Sequence, residues 1–268
     1  MQPTLGAAGS VLDLLSKPRL KRAADARSVR AHPFGLRMES DMSARQRSRG
    51  HCAFCGRDLS SAGMAKHLAA CPVRKEAIVK ADQAQREREA LYHLQVQDAW
   101  AGDYWLQLEM NGTGRLRHLD EYLRAIWLEC CGHMSRFSIG GWSGEEIGKD
   151  RMAKDVFRVG DEITHIYDFG TSSETMIKVV AKRNGKPLGK HPIHLVARNE
   201  QPEARCSKCE QQAVWLCLEC VYELEESGLL CEQHAKPHPH EEYGGLTPVV
   251  NSPRVGMCGY EGPAEPPY

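Results

Sequence analysis

The sequence predicts an α+β protein in which a small sheet with one packed helix is flanked by two compact Cys/His modules. Three observations carry this. Cysteine and histidine pairs crowd residues 52–71 and 206–240, strand-like alternation recurs between residues 91 and 199, and a helical apolar period starts at Leu116.

The first 48 residues hold scattered apolar side chains and run into an Arg/Ser-rich end, SARQRSRG. With no sustained period to bury, they read as a disordered basic leader. Met38 and Met42 are candidate alternative starts. The apolar patch Val11–Leu15 has no basic segment before it and no small-residue cleavage site after it, so no secretory signal is expected.

Residues 49–75 follow, with Cys52 and Cys55 as a knuckle, eleven intervening residues, then His67 and Cys71 four apart. On a helix i and i+4 share a face, so His67 and Cys71 can meet the knuckle around one ion. Ser60 or Ser61 can cap that helix, and Met64 and Leu68 fill a small core. Thiolate and imidazole are zinc ligands, and a unit this small needs an ion to fold, so a single-helix zinc finger is predicted. Arg57, Lys66, Arg74 and Lys75 are its candidate nucleic-acid contacts, placed for phosphate oxygens. A lone finger serves protein binding equally well. Residues 76–90 are charged and rich in good helix formers, which predicts a solvated linker helix.

In residues 91–200, LYHLQVQD and DYWLQLEM alternate apolar and polar and predict a β-hairpin. Leu116, Leu119, Leu123, Ile126 and Trp127 form one helical stripe that packs on the sheet. VFRVGDEITHIYDFG, ETMIKVVAKR and HPIHLVARN predict three further strands. Cys130, Cys131 and His133 lack the two-residue gap of a metal knuckle, and cysteine packs well as a small apolar residue, so they are expected in the core. Cys258 is expected as a spare or buried thiol.

Residues 201–245 read CSKC, seven residues, CLEC, ten residues, CEQH, then HPH. The four pairs are Cys206/Cys209, Cys217/Cys220, Cys231/His234 and His238/His240. Eight such donors make two tetrahedral sites with no open position, which points to a structural role. Seven residues between knuckles is short for one zinc ribbon, where roughly 15–20 are usual. The spacing favours a cross-brace: Cys206, Cys209, Cys231 and His234 on one ion, Cys217, Cys220, His238 and His240 on the other. Sequential pairing is the alternative. Three zinc ions per chain are thus predicted, and residues 246–268 form a tail.

Net charge is zero but unevenly spread, with ten Lys/Arg against four Asp/Glu in residues 1–50 and four against eleven in residues 201–268. Any nucleic-acid contact is therefore expected in the N-terminal third. Eleven cysteines, mostly in paired spacing, fit metal ligation in a reducing compartment, and a cytoplasmic protein is expected. No apolar run is long enough to span a membrane.

Three stretches, LDEYLRAIW (119–127), GHMSRFSIGG (132–141) and above all GDEITHIYDFG (160–170), resemble the plasmid pRiA4b Orf-3-like family, which includes passenger proteins of insertion elements. LECCGHMSRF, the Cys-rich tail and NSPRVGMCGYEG resemble a zinc-bearing bacterial branch of it. The likeness spans roughly residues 90–260. It implies a curved mixed or antiparallel sheet and association with mobile elements, and brings no reaction. TSSET (171–175) stands where the family carries Asp-Ser-Trp.

The function expected is that of a zinc-stabilised, non-enzymatic bacterial protein that binds nucleic acid or another partner. Two alternatives stand beside it. One is a metal-dependent nuclease or other hydrolase using the acidic strand 160–168, where Asp161 can converge with His165, and Glu162 with Asp168. Against it, Asp168 reads as the cap of a turn before Gly170, and Asp161 as the start of a strand. The other is a protein–protein adaptor. No phosphate-binding loop, serine-hydrolase elbow or dinucleotide fingerprint occurs.

Overall fold

A computed structural model describes residues 48–100 and 102–268. The leader before Ser48, with its two alternative starts, lies outside the described residues.

Nine antiparallel strands form one sheet. In chain order they are β1 (Arg49–Cys52), β2 (Asp58–Ser60), β3 (Glu89–Asp98), β4 (Trp105–Asn111), β5 (Ser135–Ile139), β6 (Glu145–Ile147), β7 (Glu162–Tyr167), β8 (Ser173–Gly185) and β9 (Ile193–Asn199). Across the sheet they run β2-β1-β9-β4-β3-β8-β7-β5-β6. The expected hairpin is β3 with β4, in register from Leu91↔Asn111 to Gln97↔Trp105.

One face of this sheet carries α3 (Leu116–Leu123) and a single π turn, Arg124–Leu128, closed by Glu129 N–H donating to Arg124 C=O at 2.8 Å. The predicted stripe is buried in full: Leu116, Leu119, Leu123, Ile126 and Trp127 pack on Leu94, Val96, Leu106, Leu108 and Met110. Burying five such side chains contributes on the order of 2 kcal/mol each, enough to fix the helix on the sheet.

Over β4 and β9 the opposite face is covered by the finger. Strand β1 pairs with β9, Gly50 opposite Asn199 and Cys52 opposite Ala197, so the finger extends the central sheet. Gly50 permits this: a Cβ there would lie 2.0 Å from the Arg198 carbonyl oxygen. Helix α1 (Ser61–Ala70) then lays Met64 and Leu68 on Trp105, Val196 and Ala197. The alternation of WLQLEM therefore gives no half-exposed strand. Leu106, Leu108 and Met110 face α3, and the finger buries the other row, Trp105, Gln107 and Glu109.

Helix α2 covers Pro72–Asp82 and stops well short of Ala90. Glu89 and Ala90 are drawn into β3 opposite Gly185 and Asn184, and Asp82 accepts the Lys186 N–H at 2.8 Å. Strand pairing claims only the last two residues of this charged run, and residues 83–88 form the turn between α2 and β3. A short helix, α4 (Ala153–Val156), precedes β7.

The C-terminal module holds a second sheet, with β10 (Trp215–Cys217) between β11 (Leu229–Leu230) and β12 (Leu246–Pro248), and two one-turn helices, α5 (Leu218–Tyr222) and α6 (Glu232–Ala235). The last twenty residues return to the central sheet. Ser252 Oγ donates to Trp127 C=O at 2.6 Å, and Arg254 is fully buried. No helix among the described residues is long and apolar enough to cross a membrane.

Candidate metal centres

Four sets of Cys/His side chains bring their donor atoms within 4.8 Å of one another. A tetrahedral ion with Zn–S near 2.3 Å and Zn–N near 2.0–2.1 Å requires edges of about 3.8 Å between sulfurs and about 3.6 Å between sulfur and nitrogen.

The first is Cys52, Cys55, His67 and Cys71. The knuckle is closed by Gly56 N–H donating to Cys52 C=O at 2.8 Å, and α1 presents His67 one turn before Cys71. His67 Nε2 lies 3.2 Å from Cys55 Sγ. Ser60 takes the cap position of α1, although its hydroxyl makes no capping bond.

The C-terminal pairs interleave as the cross-brace requires. Cys206, Cys209, Cys231 and His234 form one set, with Cys209 and Cys231 sulfurs 3.8 Å apart and His234 Nδ1 3.5, 3.5 and 3.3 Å from Cys206, Cys209 and Cys231. Cys217, Cys220, His238 and His240 form the other, with sulfur–nitrogen separations of 3.2–3.5 Å. The sulfur–sulfur length equals a tetrahedral edge, and the sulfur–nitrogen lengths fall within about 0.4 Å of one. Burial opposes ionisation of Cys206, yet backbone amides of Cys231 and Lys208 bring its thiol down to about 6, toward the thiolate that a metal needs.

The fourth set corrects the sequence reading. Cys130 only packs part-buried against the core and Cys131 is exposed; with His133 they meet Cys258, the thiol expected to be spare. Cys131 is exposed and Cys130 half-buried, because the π turn ends at Leu128 and the chain leaves the helix before CCGH. The signal was present as a Cys-Cys-x-His cluster plus one unpaired cysteine. The 125 residues separating His133 from Cys258 hid the connection. All eleven cysteines are free, and the 3.7–3.8 Å sulfur separations lie far from the ~2.05 Å of a disulfide.

Of the candidate nucleic-acid contacts, Arg57, Lys66 and Lys75 are exposed and Arg74 is not. Arg74 turns inward, donating to Glu109 Oε2 at 3.0 Å and Leu68 C=O at 3.0 Å, and Arg183 grips Glu109 from the other side at 2.5 Å. Its place on α2 faces the buried carboxylate of β4, and a buried acid must be paired. Arg74 is a structural residue.

The acidic strand does not assemble a site. Asp161 accepts the Arg158 N–H, and Glu162 pairs with Lys178 on the surface. His165 is fully buried on Asp120 at 2.7 Å. Asp168 caps its turn through Gly170 and Thr171 N–H and binds Arg254 at 2.7 Å. Burial would raise the Asp168 pKa, but Arg254 and those two amides hold it low. Among the described residues none of these acids joins a set of mutually close metal donors, and Asp168 Oδ2 lies 3.4 Å from His133 Nε2.

A network that the sequence did not signal surrounds Asp120. Ser135 Oγ donates to Asp120 Oδ1 at 2.6 Å, and Lys149 Nζ donates to both Ser135 and Asp120. Burial opposes the Asp120 charge, but His165, Ser135 and Lys149 hold its pKa well below the usual carboxylate range. The serine proton is committed to a carboxylate and the lysine is a donor, so no activated nucleophile results.

No protein-family model matches the sequence, and comparison with curated proteins finds no match. Among solved structures, a protein of unknown function from Methanosarcina mazei Go1 is similar at 16% identity with a TM-score of 0.34, covering 39% of this chain and 66% of that one.

Proposed function

We propose that the chain is a zinc-stabilised, non-enzymatic binding protein of the pRiA4b Orf-3-like type, working in a reducing cytoplasm, whose partner is nucleic acid. The observation that carries the reading is the donor sets themselves: four protein ligands at tetrahedral spacing leave no position for water or substrate. Arg57, Lys66 and Lys75 are exposed around the finger and free of the buried ion pairs that claim Arg74. They are the residues to contact phosphate.

The test is binding of zinc-loaded protein to duplex DNA, single-stranded DNA and RNA across a salt series, with magnesium present. Affinity should fall steeply with salt. Replacing Arg57, Lys66 and Lys75 together by Ala should shallow the slope by about three phosphates' worth, roughly 2.7 for duplex DNA. Cleavage of the strands would overturn the non-enzymatic assignment, and absence of binding at low salt would overturn the nucleic-acid one.

A protein–protein adaptor is the second reading. It is favoured by exposed Met134, Ile139, Trp142 and Phe169, where Arg136 lies over both the Trp142 and Phe169 rings. Exposed aromatic and arginine side chains together are typical of interface anchors.

A further inference from the structure

The fourth Cys/His set joins the CCGH turn to the C-terminal segment, and its surroundings are built to hold it. The Tyr167 hydroxyl accepts the backbone N–H groups of Cys130 and His133 at 3.4 and 3.3 Å and donates to Glu129 Oε1 at 3.1 Å. Glu129 Oε1 in turn accepts the Gly132 N–H at 2.6 Å. The CCGH turn is thus fixed by hydrogen bonds outside the donor set, as outer partners fix the ligands of established metal sites. From the tail, Arg254 donates to Cys130 Sγ at 3.4 Å and to Asp168, placing a buried guanidinium against the thiol. That charge offsets the excess negative charge of three thiolates on a divalent ion.

The sulfurs and nitrogen stand at bridging distances. Cys130 and Cys131 sulfurs are 3.8 Å apart, Cys131 and Cys258 sulfurs 3.7 Å, and His133 Nε2 is 3.1 Å from Cys131 and 3.2 Å from Cys258. Cys258 reaches this position in left-handed backbone, φ 50°, which costs a non-glycine residue free energy and needs something to hold it there. Unlike the other three sets, this one has no fully buried member.

We infer that Cys130, Cys131, His133 and Cys258 bind a fourth zinc ion, and that this exposed, exchangeable ion locks the C-terminal segment 252–260 onto the central sheet. It rests on the zinc reading of the three other sets and adds a site with a different task. Those sets fold their own modules. This one staples a chain end, and its exposure makes it the first to surrender its ion.

The test counts zinc in fully reduced protein and follows its removal by increments of chelator, with hydrogen exchange read at residues 252–260. Wild type should hold four ions per chain. Cys258→Ser should hold three with the remaining fold unchanged, and Cys131→Ser, from the other side of the site, should do the same. The first ion stripped from wild type should release the tail amides, and that first, easily stripped ion should be missing from Cys258→Ser. A wild-type count of three, or a Cys131–Cys258 disulfide persisting in reductant, refutes the fourth site and leaves the other three standing. A count of four in both variants refutes it equally. A wild-type count below three overturns this inference and the zinc reading beneath it together.

Discussion

Replacing Arg74 by Ala separates a structural from a nucleic-acid role at a position where the sequence suggested the latter. Arg74 and Glu109 are a buried pair, with side-chain exposures of 11% and 3%, and Arg183 supplies a second cation to the same carboxylate. Breaking a buried pair typically costs about 3–5 kcal/mol. Here Arg183 stays on Glu109, so about 2–3 kcal/mol is expected for Arg74→Ala, including the donor lost to the Leu68 carbonyl. Glu109→Gln should cost more, since it leaves two guanidinium groups facing a neutral amide. Lys75→Ala, exposed one residue away, should stay within about 0.5 kcal/mol of wild type. The assay is urea unfolding of zinc-loaded protein, paired with nucleic-acid binding at temperatures where every variant is folded. An Arg74→Ala protein as stable as wild type that binds nucleic acid with a shallower salt slope would refute the reasoning.

Four further outcomes follow from the same structure. Cys231→Ser removes a donor from the first cross-brace set and should unfold residues 201–245 while amide exchange in β3, β4 and β8 stays slow. Gly50→Ala drives a Cβ into the Arg198 carbonyl, so β1 must leave β9; lost protection of the Ala53 N–H, which donates to Val196 at 3.0 Å, reports it. Burial first, and the Arg74 charge second, lower the His93 pKa to about 4 from an ordinary 6.5. The unfolded chain therefore takes up a proton that the folded one refuses. Stability should be lost as pH falls from about 6.5 toward 4, by roughly 2 kcal/mol between pH 7 and 5. His93→Gln should lack that share, judged by urea unfolding at both pH values, where acid effects on the metal donors are common to the two proteins. Asp168→Asn leaves fully buried Arg254 short of its carboxylate and should destabilise the tail by about 2–4 kcal/mol, visible as faster exchange at 252–260. A variant with unchanged exchange there would contradict the structural role of Asp168.

The twelve donors of the first three metal sets were legible because each sits in a local pair, one turn or one knuckle apart, and short-range geometry is written in spacing. The stripe from Leu116 to Trp127 and the strand alternation were legible for the same reason. What the sequence left open depends on which face meets which. Gln107, Glu109 and Arg74 look like surface residues in their own segments, and become interior only because β1 joins β9 and carries the finger across the sheet. The helix expected through Ala90 ends at Asp82, residues 83–88 turn the chain, and β8 takes Glu89 and Ala90 as strand partners. His165 and Asp120, 45 residues apart, meet only once α3 lies on β7. Cys258 gains its purpose when the tail folds back to the CCGH turn. Contacts between neighbours in sequence follow local chain geometry, so spacing predicts them. Contacts across long separations are selected by the total burial and charge pairing of the whole chain, which only its tertiary structure resolves.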